Sequence, residues 1–388
     1  MTMHYWTFFP ILTGLMVYTG VHARRLLPMH PLRAWLLTGL LFAFMMSWSA
    51  NRRGTWGPGH RFWFNLLAWS GSITLGAWST FILLAMPADL VRIAYQGYQW
   101  LARRPFPPPA AVAPHASWVT ITLIVLSMVM SGLGLIQALA GPRIKEVTVP
   151  VENLAPDLEG LRIVLLSDLH VSPITRRGFA ESVVAKVAGV KPDLIAVTGD
   201  MAEGGGEALE SRLRPLAQLR APLGIYFVMG NHEVYRGAAE GLADAGSLGF
   251  IPLLNQNRVV TVGRAELLVG GVTDDSRSHG KSDLKGPDAM KAAFSKDPVQ
   301  FKLLLAHRPE ACFAAERAGF DLQLSGHTHG GQYFPWSLVI PFFHPYTKGL
   351  HRHGRMWIYV SVGTGYWGPP NRFLVPAEIT LIRLTTLK

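Results

Sequence analysis

The sequence predicts an all-α membrane-spanning region followed by a layered α/β domain. The chain of 388 residues is apolar, with 49% hydrophobic and 16% charged residues and a mean hydropathy of +0.23. Almost all acidic residues lie after Lys145. From that point, short apolar runs alternate with stretches of helical spacing, which is typical of layered α/β domains. We therefore expect a membrane region at residues 1–142 and a second domain at 143–388.

Four uncharged apolar stretches predict a bundle of about four transmembrane helices. A helix needs about 20 apolar residues to cross the hydrocarbon core of a bilayer. The stretches contain no Asp, Glu, Lys or Arg, which favours an anchor over a transporter. A mildly amphipathic segment, Leu90–Arg104, is expected to lie along the membrane interface. The four stretches are Thr7–Ala23, Trp35–Ala50, Phe64–Ala88 and Ser117–Ala140.

Basic residues near the ends of these stretches indicate the orientation only weakly. Six lie on one side of a four-span arrangement and five on the other. The pair Arg103-Arg104, before the last span, favours an extracytoplasmic second domain in a bacterial-type inner membrane. The formal net charge of +11 suits anionic lipid, phosphate-bearing substrates and nucleic acid alike, so charge alone selects no partner.

The second domain is predicted to form one two-sheet sandwich with covering helices. Apolar runs between turn residues predict buried strands, and Val259–Val262 with Glu266–Val269 predicts a hairpin in a mixed sheet. The other predicted strands are Glu146–Val151 at an edge, Leu161–Leu166, Leu194–Thr198, Gly224–Met229, Phe301–Ala306 and Leu322–Leu324. The predicted helices are Phe179–Val190, Glu207–Leu219, Val234–Leu248 and Glu310–Ala318.

Five short polar motifs each follow the carboxyl end of one of these runs, where open α/β sheets collect ligands. Their oxygen and nitrogen donors suit hard or borderline divalent metals. The only cysteine, Cys312, excludes an intrachain disulfide and a cysteine-based metal site, and we expect a buried thiol. The motifs are Asp168-Leu169-His170, Gly199-Asp200, Gly230-Asn231-His232-Glu233, His307 and Gly326-His327-Thr328-His329.

In this order, the motifs resemble the five blocks of the calcineurin-like metallophosphoesterase superfamily, over roughly Leu161 to Val362. Two of the motifs, Ser167-Asp168-Leu169-His170 and the run from Gly326 to Gln332, resemble those of one branch of the family. That branch contains membrane-associated bacterial phosphoesterases and transmembrane proteins with a metallophosphoesterase domain. Some relatives are UDP-2,3-diacylglucosamine pyrophosphatases of lipid A synthesis. The resemblance implies a four-layer αββα sandwich and a metal-dependent phosphoric ester or pyrophosphate hydrolase. Glu233 stands where many members have Asp.

The resemblance also implies roles for individual residues. His232 would act as a general acid, and a hydroxide shared by two ions would attack phosphorus. Glu233 and Asp193 could orient the histidines. Arg308 could contact a substrate phosphate or form a structural ion pair. Manganese is the expected metal, and iron, zinc and nickel also fit the donors. The implied ligands are Asp168, His170 and His329 at one metal, Asn231, His307 and His327 at the other, and Asp200 bridging both.

The leading hypothesis is a membrane-anchored dinuclear phosphoesterase acting on a phosphodiester or pyrophosphate in a small molecule or a lipid. A non-catalytic membrane sensor or scaffold is one alternative, although no ligand is missing. A membrane-tethered nuclease is another, but no basic stripe with interleaved aromatics is visible, so we do not expect a nucleic-acid partner. The loop at residues 342–357 is either a flap that touches lipid headgroups or binds the anionic part of a substrate, or an ordinary surface loop. Trp367 and Asn371 could border the cleft.

Overall fold

The structure, a computed structural model, describes residues 5–26, 30–50, 61–105, 109–172, 175–274 and 285–387. The described chain forms two compact units. The helical unit runs to Ile136 and takes in Gly368–Phe373, and the α/β unit consists of Gln137–Trp367 and the chain from Leu374 onward. The domain boundary predicted between residues 142 and 143 remains a prediction.

The helical unit contains four long helices, α1 (Tyr5–Leu26), α2 (Pro31–Ala50), α3 (Arg61–Leu101) and α4 (Pro109–Ala140). Two stretches, Asn65–Leu101 and Ala116–Ala140, are long and apolar enough to cross a membrane, and Pro31–Met46 is a shorter apolar helix. Helix α3 passes through Pro87 without ending. Leu90–Leu101 continues α3, and the position of Leu90–Arg104 along the membrane interface remains a prediction.

Asp89 connects the part of α3 beyond Pro87 to helix α1. Its carboxylate accepts hydrogen bonds from the Tyr18 hydroxyl at 2.8 Å and from Arg25 Nη1 at 3.1 Å, and it lies 2.9 Å from His22 Nε2. The other ring nitrogen of His22 lies 3.3 Å from the Thr120 hydroxyl of α4. Asp89, which follows the third apolar stretch, thus pairs with groups of α1 and ties α1 to α3.

The segment Gly368–Phe373 packs within the helical unit although it is distant in sequence. Its Asn371 Nδ2 donates to the Ser131 hydroxyl at 3.4 Å, and the Arg372 amide donates to the Gly134 carbonyl at 3.0 Å. A Cβ at Gly134 would collide with the Asn371 side chain, so glycine permits this approach. Asn371 therefore belongs to the helical unit, and its position at the border of the cleft remains a prediction.

The α/β unit contains two six-stranded sheets with the orders β1-β12-β2-β3-β4-β5 and β10-β11-β9-β8-β7-β6. Seven shorter helices accompany the described strands: α5 (Phe179–Val190), α6 (Glu207–Leu213), α7 (Asn231–Arg236), α8 (Ala238–Ser247), α9 (Ala289–Ala293), α10 (Cys312–Arg317) and α11 (Trp336–Val339). The strands are β1 (Arg143–Val151), β2 (Arg162–Leu166), β3 (Leu194–Val197), β4 (Ile225–Phe227), β5 (Ile251–Pro252), β6 (Gln256–Val262), β7 (Ala265–Gly271), β8 (Phe301–Leu305), β9 (Leu322–Ser325), β10 (Gly349–His353), β11 (Met356–Val360) and β12 (Glu378–Thr386).

The alternation of side chains along each strand divides the core into three layers. Ile163 and Leu165 of β2 belong to the cluster shared by both sheets, whereas Val164 and Leu166 pack with residues of α5 and α6. On the other sheet, Leu304 packs with α9 and α10, where Cys312 is fully buried. The result is an α/β fold in which each sheet packs against helices on its outer face, as the continuous apolar strands predict.

Local chain breakers account for most departures from the predicted elements. The predicted helix Glu207–Leu219 gives way at Arg214 to a 3₁₀ turn that contains Pro215. The predicted helix Val234–Leu248 is divided at Gly237, which has a φ of 131°. Strands β10, β11 and β12 were not predicted. Strand β12 lies between β1 and β2, a pairing that depends on contacts distant in sequence.

Candidate metal centre

The five polar motifs lie at the carboxyl ends of β2, β3, β4, β8 and β9. Strands β2, β3 and β4 are neighbours in one sheet, and β8 and β9 are neighbours in the other. Parallel pairing brings the ends of β2, β3 and β4 to one edge, and likewise the ends of β8 and β9. Side chains from both sheets therefore meet at a single site.

The loops that carry the site have an unusual backbone. Five of the predicted ligands adopt the left-handed region, which costs a non-glycine residue roughly 1–2 kcal/mol. Such conformations persist where the surrounding structure fixes them, and they cluster at functional sites. The five residues are Asp168 (φ 54°), His170 (φ 46°), Asp200 (φ 51°), His327 (φ 68°) and His329 (φ 50°).

Glycines in two motifs allow these loops to approach one another. A Cβ at Gly230 would collide with the carboxylate of Asp200, and a Cβ at Gly326 would collide with the Ser167 hydroxyl. A larger residue at either position would separate the loops. The glycines of these motifs are therefore explained by close packing of the loops.

One group of donor atoms is formed by Asp168, His170 and His329, whose ligand atoms lie within 4.8 Å of one another. The two histidine Nε2 atoms are 3.0 Å apart, and His329 Nε2 is 3.4 Å from Asp168 Oδ1. The Ser167 hydroxyl donates to the other Asp168 oxygen at 2.6 Å. These three side chains, which come from both sheets, could hold one metal ion.

A second group of donor atoms surrounds His307. Its Nδ1 lies 2.8 Å from the Thr198 carbonyl, which can only accept a hydrogen bond, so Nε2 of the neutral ring carries the lone pair. That Nε2 lies 3.1 Å from Asn231 Oδ1 and 3.1 Å from His327 Nδ1. A hydrogen bond that fixes the tautomer in this way is characteristic of metal-binding histidines.

Asp200 lies between the two groups. Its Oδ2 is 3.7 Å from His170 Nε2 and 3.3 Å from His307 Nε2. Burial opposes ionisation, but His307 and His232 beside it hold the pKa of this carboxyl well below its usual value. A buried, ionised carboxylate between two sets of nitrogen donors is placed to serve both.

His232 and Glu203 complete the site. Glu203 Oε1 lies 2.7 Å from His170 Nδ1 and 3.2 Å from His232 Nδ1, so one carboxylate faces both rings. His232 Nε2 lies 3.9 Å from Asp200 Oδ2. Burial lowers the pKa of His170, but the carboxylates of Glu203, Asp200 and Asp168 together outweigh burial and raise this pKa overall. Glu203 was not predicted, since a lone glutamate after Gly199-Asp200 matches no motif.

Glu233 and Asp193 do not orient the histidines as predicted. The Glu233 carboxylate accepts hydrogen bonds from the amides of Asp200 (2.9 Å), Met201 (2.8 Å) and Gly230 (2.8 Å), so it fixes two loops through their backbones. As the third residue of α7, it satisfies the free amide before the helix. Asp193 accepts from the Arg162 amide at 2.8 Å and precedes β3, at the end of the strand away from the site.

Arg308 forms a structural ion pair, and its contact with a substrate phosphate remains a prediction. Its Nε donates to Asp274 at 2.7 Å, and its Nη1 lies 3.0 Å from His327 Nε2. Burial opposes the charge, but Asp274 outweighs burial and raises the pKa of Arg308. The guanidinium is thus oriented by an ion pair, with one amino group at the edge of the candidate metal centre.

Aromatic side chains surround His232 at the mouth of the site. The Trp367 ring centroid lies 5.9 Å and that of Tyr235 5.4 Å from the His232 ring. Two hydrogen bonds hold the Trp367 backbone to the Gln332 side chain. The Trp367 amide donates to Gln332 Oε1 at 2.7 Å, and Gln332 Nε2 donates to the Trp367 carbonyl at 2.9 Å. Trp367 therefore borders the cleft, as was considered from the sequence.

The donor set fits divalent metal ions of intermediate character. It consists of carboxylate and amide oxygens and imidazole nitrogens, with no thiolate. Two groups of donors joined by one carboxylate are the arrangement that dinuclear hydrolytic sites require. The fold and this site define a class of α/β metallohydrolases.

Comparison with known proteins agrees with this class. Residues 161–331 match the family model described as calcineurin-like phosphoesterase. The chain is 34% identical to a transmembrane protein with metallophosphoesterase domain from Bos taurus, over 83% of this chain and 74% of that one. It is also 34% identical to the protein of that name from Danio rerio, over 71% of this chain and 64% of that one. An uncharacterized metallophosphoesterase of Helicobacter pylori is 37% identical, over 65% and 66%.

The protein belongs to the calcineurin-like phosphoesterase family. The matched residues 161–331 lie in the α/β unit, and the Bos taurus and Danio rerio relatives are named transmembrane proteins. The chain spans about two thirds of the length of the Danio rerio and Helicobacter pylori relatives, 64% and 66%.

Proposed function

We propose that the protein is a membrane-anchored, dinuclear metal-dependent hydrolase of phosphodiester or pyrophosphate bonds. The observation that carries this proposal is the position of Asp200 Oδ2, 3.7 Å from His170 Nε2 and 3.3 Å from His307 Nε2. Asp168, His170 and His329 would hold one ion. Asn231, His307 and His327 would hold the other, with Asp200 shared.

The metal pair supplies Lewis acidity, neutralising charge on phosphate oxygens and lowering the pKa of water near phosphorus. The protein supplies the rest. His232 Nε2, with Nδ1 facing Glu203, is placed to give a proton to the leaving-group oxygen. The Arg308 amino group beside His327 would bind a phosphate oxygen. Manganese is the proposed metal, with iron, zinc and nickel as the other metals suited to these donors.

We also propose that the helical unit spans a bacterial-type inner membrane four times, at residues 1–142, with domain 143–388 outside the cytoplasm. Two apolar helices support the membrane location, and the Arg103-Arg104 pair supports this orientation. A lipid-linked substrate such as UDP-2,3-diacylglucosamine suits an enzyme held at a bilayer. Reporter fusions after residue 388 that are active only in the cytoplasm would contradict the orientation.

The test is hydrolysis of bis(p-nitrophenyl) phosphate by the full chain loaded with Mn²⁺ in detergent. We expect Asp200→Asn to abolish turnover while the protein stays folded. The control is Asp193→Asn, at the other end of β3, which should keep normal activity. For His232→Ala we expect normal metal content and a loss of rate of ~10²–10⁴-fold. Wild-type turnover by Asp200→Asn would contradict the proposal.

A substrate screen separates the alternatives. Lipid-linked pyrophosphates, soluble nucleotides and oligonucleotides would be compared on the same Mn²⁺-loaded protein. A clear preference for oligonucleotides would indicate the membrane-tethered nuclease. Normal metal binding without hydrolysis of any of them would indicate the non-catalytic sensor or scaffold.

A further inference from the structure

An exposed apolar segment lies beside the candidate metal centre. The segment Trp336–Phe343, called here the apolar tip, contains no charged residue. Leu338 is 62%, Phe342 85% and Phe343 70% exposed, and Trp336 is 38% exposed. Large apolar side chains grouped in this way on a protein surface mark a site of interaction with a partner or a membrane.

The apolar tip is attached at both ends to the loop that carries His327 and His329. At the start of the tip, the backbone of Ser337 packs closely against Gly331. A Cβ on Gly331 would lie 2.6 Å from the Ser337 backbone. After its end, the His344 ring packs edge-on against His327 with centroids 5.4 Å apart. A surface held in this way cannot move independently of the metal centre.

The side chain of Lys348, five residues after the apolar tip, lies beside the metal-binding loop. Lys348 is exposed, and its Cδ lies 3.6 Å from the position of a Cβ on Gly330, beside His329. Within the described residues, no carboxylate lies at ion-pair distance from Lys348. Arg352, in contrast, is paired with Glu152 at 3.2 Å. An unpaired ammonium beside exposed aromatics is complementary to the anionic headgroups of a phospholipid surface.

We propose that the apolar tip inserts into the interface of an anionic phospholipid bilayer and presents lipid phosphate groups to Lys348 and the metal centre. Membrane insertion follows from the surface alone. The substrate class, phosphoesters of membrane lipids, rests additionally on the proposed phosphoesterase function. Trp, Leu, Phe and Pro without charges, followed by a lysine, are the residues that lie at the boundary between headgroups and acyl chains.

A bilayer is favoured over a protein partner or a second copy because the chain has its own membrane-spanning candidates, Asn65–Leu101 and Ala116–Ala140. Covalent attachment to such helices keeps the α/β unit at a high effective concentration near lipid. A weakly inserting surface of a few aromatic residues is then sufficient for binding.

The first test is fluorescence of an NBD label at Phe343→Cys in the full chain, reconstituted in nanodiscs that contain anionic phospholipid and doxyl-labelled lipid. The matched control is Phe294→Cys, because Phe294 is 67% exposed. Wild type is the blank, because burial raises the pKa of the Cys312 thiol to about 11 and keeps it unreactive. We expect blue-shifted, doxyl-quenched emission from position 343 and water-like emission from position 294.

The second test compares two phosphodiesters with the same leaving group, hexadecyl p-nitrophenyl phosphate in the nanodiscs and ethyl p-nitrophenyl phosphate in solution. We expect Phe342→Ser with Phe343→Ser to lose about tenfold in turnover of the hexadecyl ester, a difference of ~1.4 kcal/mol. Turnover of the ethyl ester should not change, and it also reports intact folding. Met290→Ser with Phe294→Ser is the control pair.

The outcomes are distinguishable. Equal, water-like emission at positions 343 and 294 overturns membrane insertion, whatever the activity. Shielding at 343 without doxyl quenching, together with a dimer in detergent, also overturns it, since a second copy then covers the surface. Shielding and quenching at 343 support insertion. If neither ester is then hydrolysed by wild type, the proposed function fails while insertion stands.

Discussion

The residue with the widest influence on the site is Glu203, because one carboxylate oxygen faces Nδ1 of both His170 and His232. It keeps Nε2 of His170 directed at the metal position and Nε2 of His232 directed at the cleft. Groups that orient metal-binding histidines in this way contribute to metal affinity and rate without contacting the substrate.

We predict that Glu203→Ala lowers Mn²⁺ affinity or turnover by roughly 10–100-fold. Glu203→Gln should lose less, because its amide oxygen still accepts one N–H. Measurement is by metal titration and by kcat on bis(p-nitrophenyl) phosphate. Glu207→Ala, in exposed sequence four residues later, is the control. Wild-type affinity and turnover in Glu203→Ala would show that Glu203 has no positioning role.

The donor residues of the site could be predicted individually, whereas their supports could not. Asp, His and Asn at strand ends are visible in the sequence because their spacing recurs after each apolar run. Glu203 depends on a loop whose course is set by the bridge between Val171 and Ala202. Glu233 was visible, but its partners are backbone amides, and no pattern of side chains can indicate those.

At the scale of elements, long apolar runs were predicted well and long-range pairings were not. Strands β2, β3 and β8 are buried on both faces apart from Arg162 and Lys302, so the rest of their sequences is apolar. Strand β12 carries a similar pattern, but its place between β1 and β2 depends on chain segments more than 200 residues apart. The packing of α3 beyond Ala88 could not be predicted either, because the partners of Asp89 lie on α1, distant in sequence.

We predict that Asp89→Ala weakens the helical unit. Hydrogen bonds between helices in membranes average about 0.6 kcal/mol, and Asp89 makes three such contacts to α1, so the loss should be roughly 2 kcal/mol. SDS titration of the detergent-solubilised chain measures it. Arg92→Ala, which removes a contact of 3.5 Å within α3, should cost less than about 0.5 kcal/mol. Equal effects of the two variants would contradict this account.

At the scale of the whole molecule, the candidate metal centre joins the two sheets. Asp168, Asp200 and Asn231 follow strands of one sheet, and His307 and His327 follow strands of the other. Several of these groups are buried. Burial, and after it the charge of Asp200, raises the pKa of the Asp168 carboxyl. The two carboxylates therefore repel each other when no cation lies between them. Ions bound there would cross-link the sheets and relieve that repulsion at once.

We therefore predict that metal stabilises the α/β unit against heat. Free Mn²⁺ at 100 times its Kd should add about 2.7 kcal/mol to the free energy of unfolding, and EDTA should remove that gain. Differential scanning calorimetry of the full chain in detergent measures the change. Asp200→Asn should lose most of this gain when each protein is compared in Mn²⁺ and in EDTA, because the carboxylate shared by the two donor groups is gone. His351→Ala should respond to metal like wild type, because the described contacts of this ring are the Lys348 carbonyl at 2.8 Å and the Tyr346 ring at 5.0 Å, and neither is a donor of the site. A wild-type midpoint that is insensitive to Mn²⁺, Fe²⁺, Zn²⁺ and Ni²⁺ would show that the convergent donors hold no ion between the sheets.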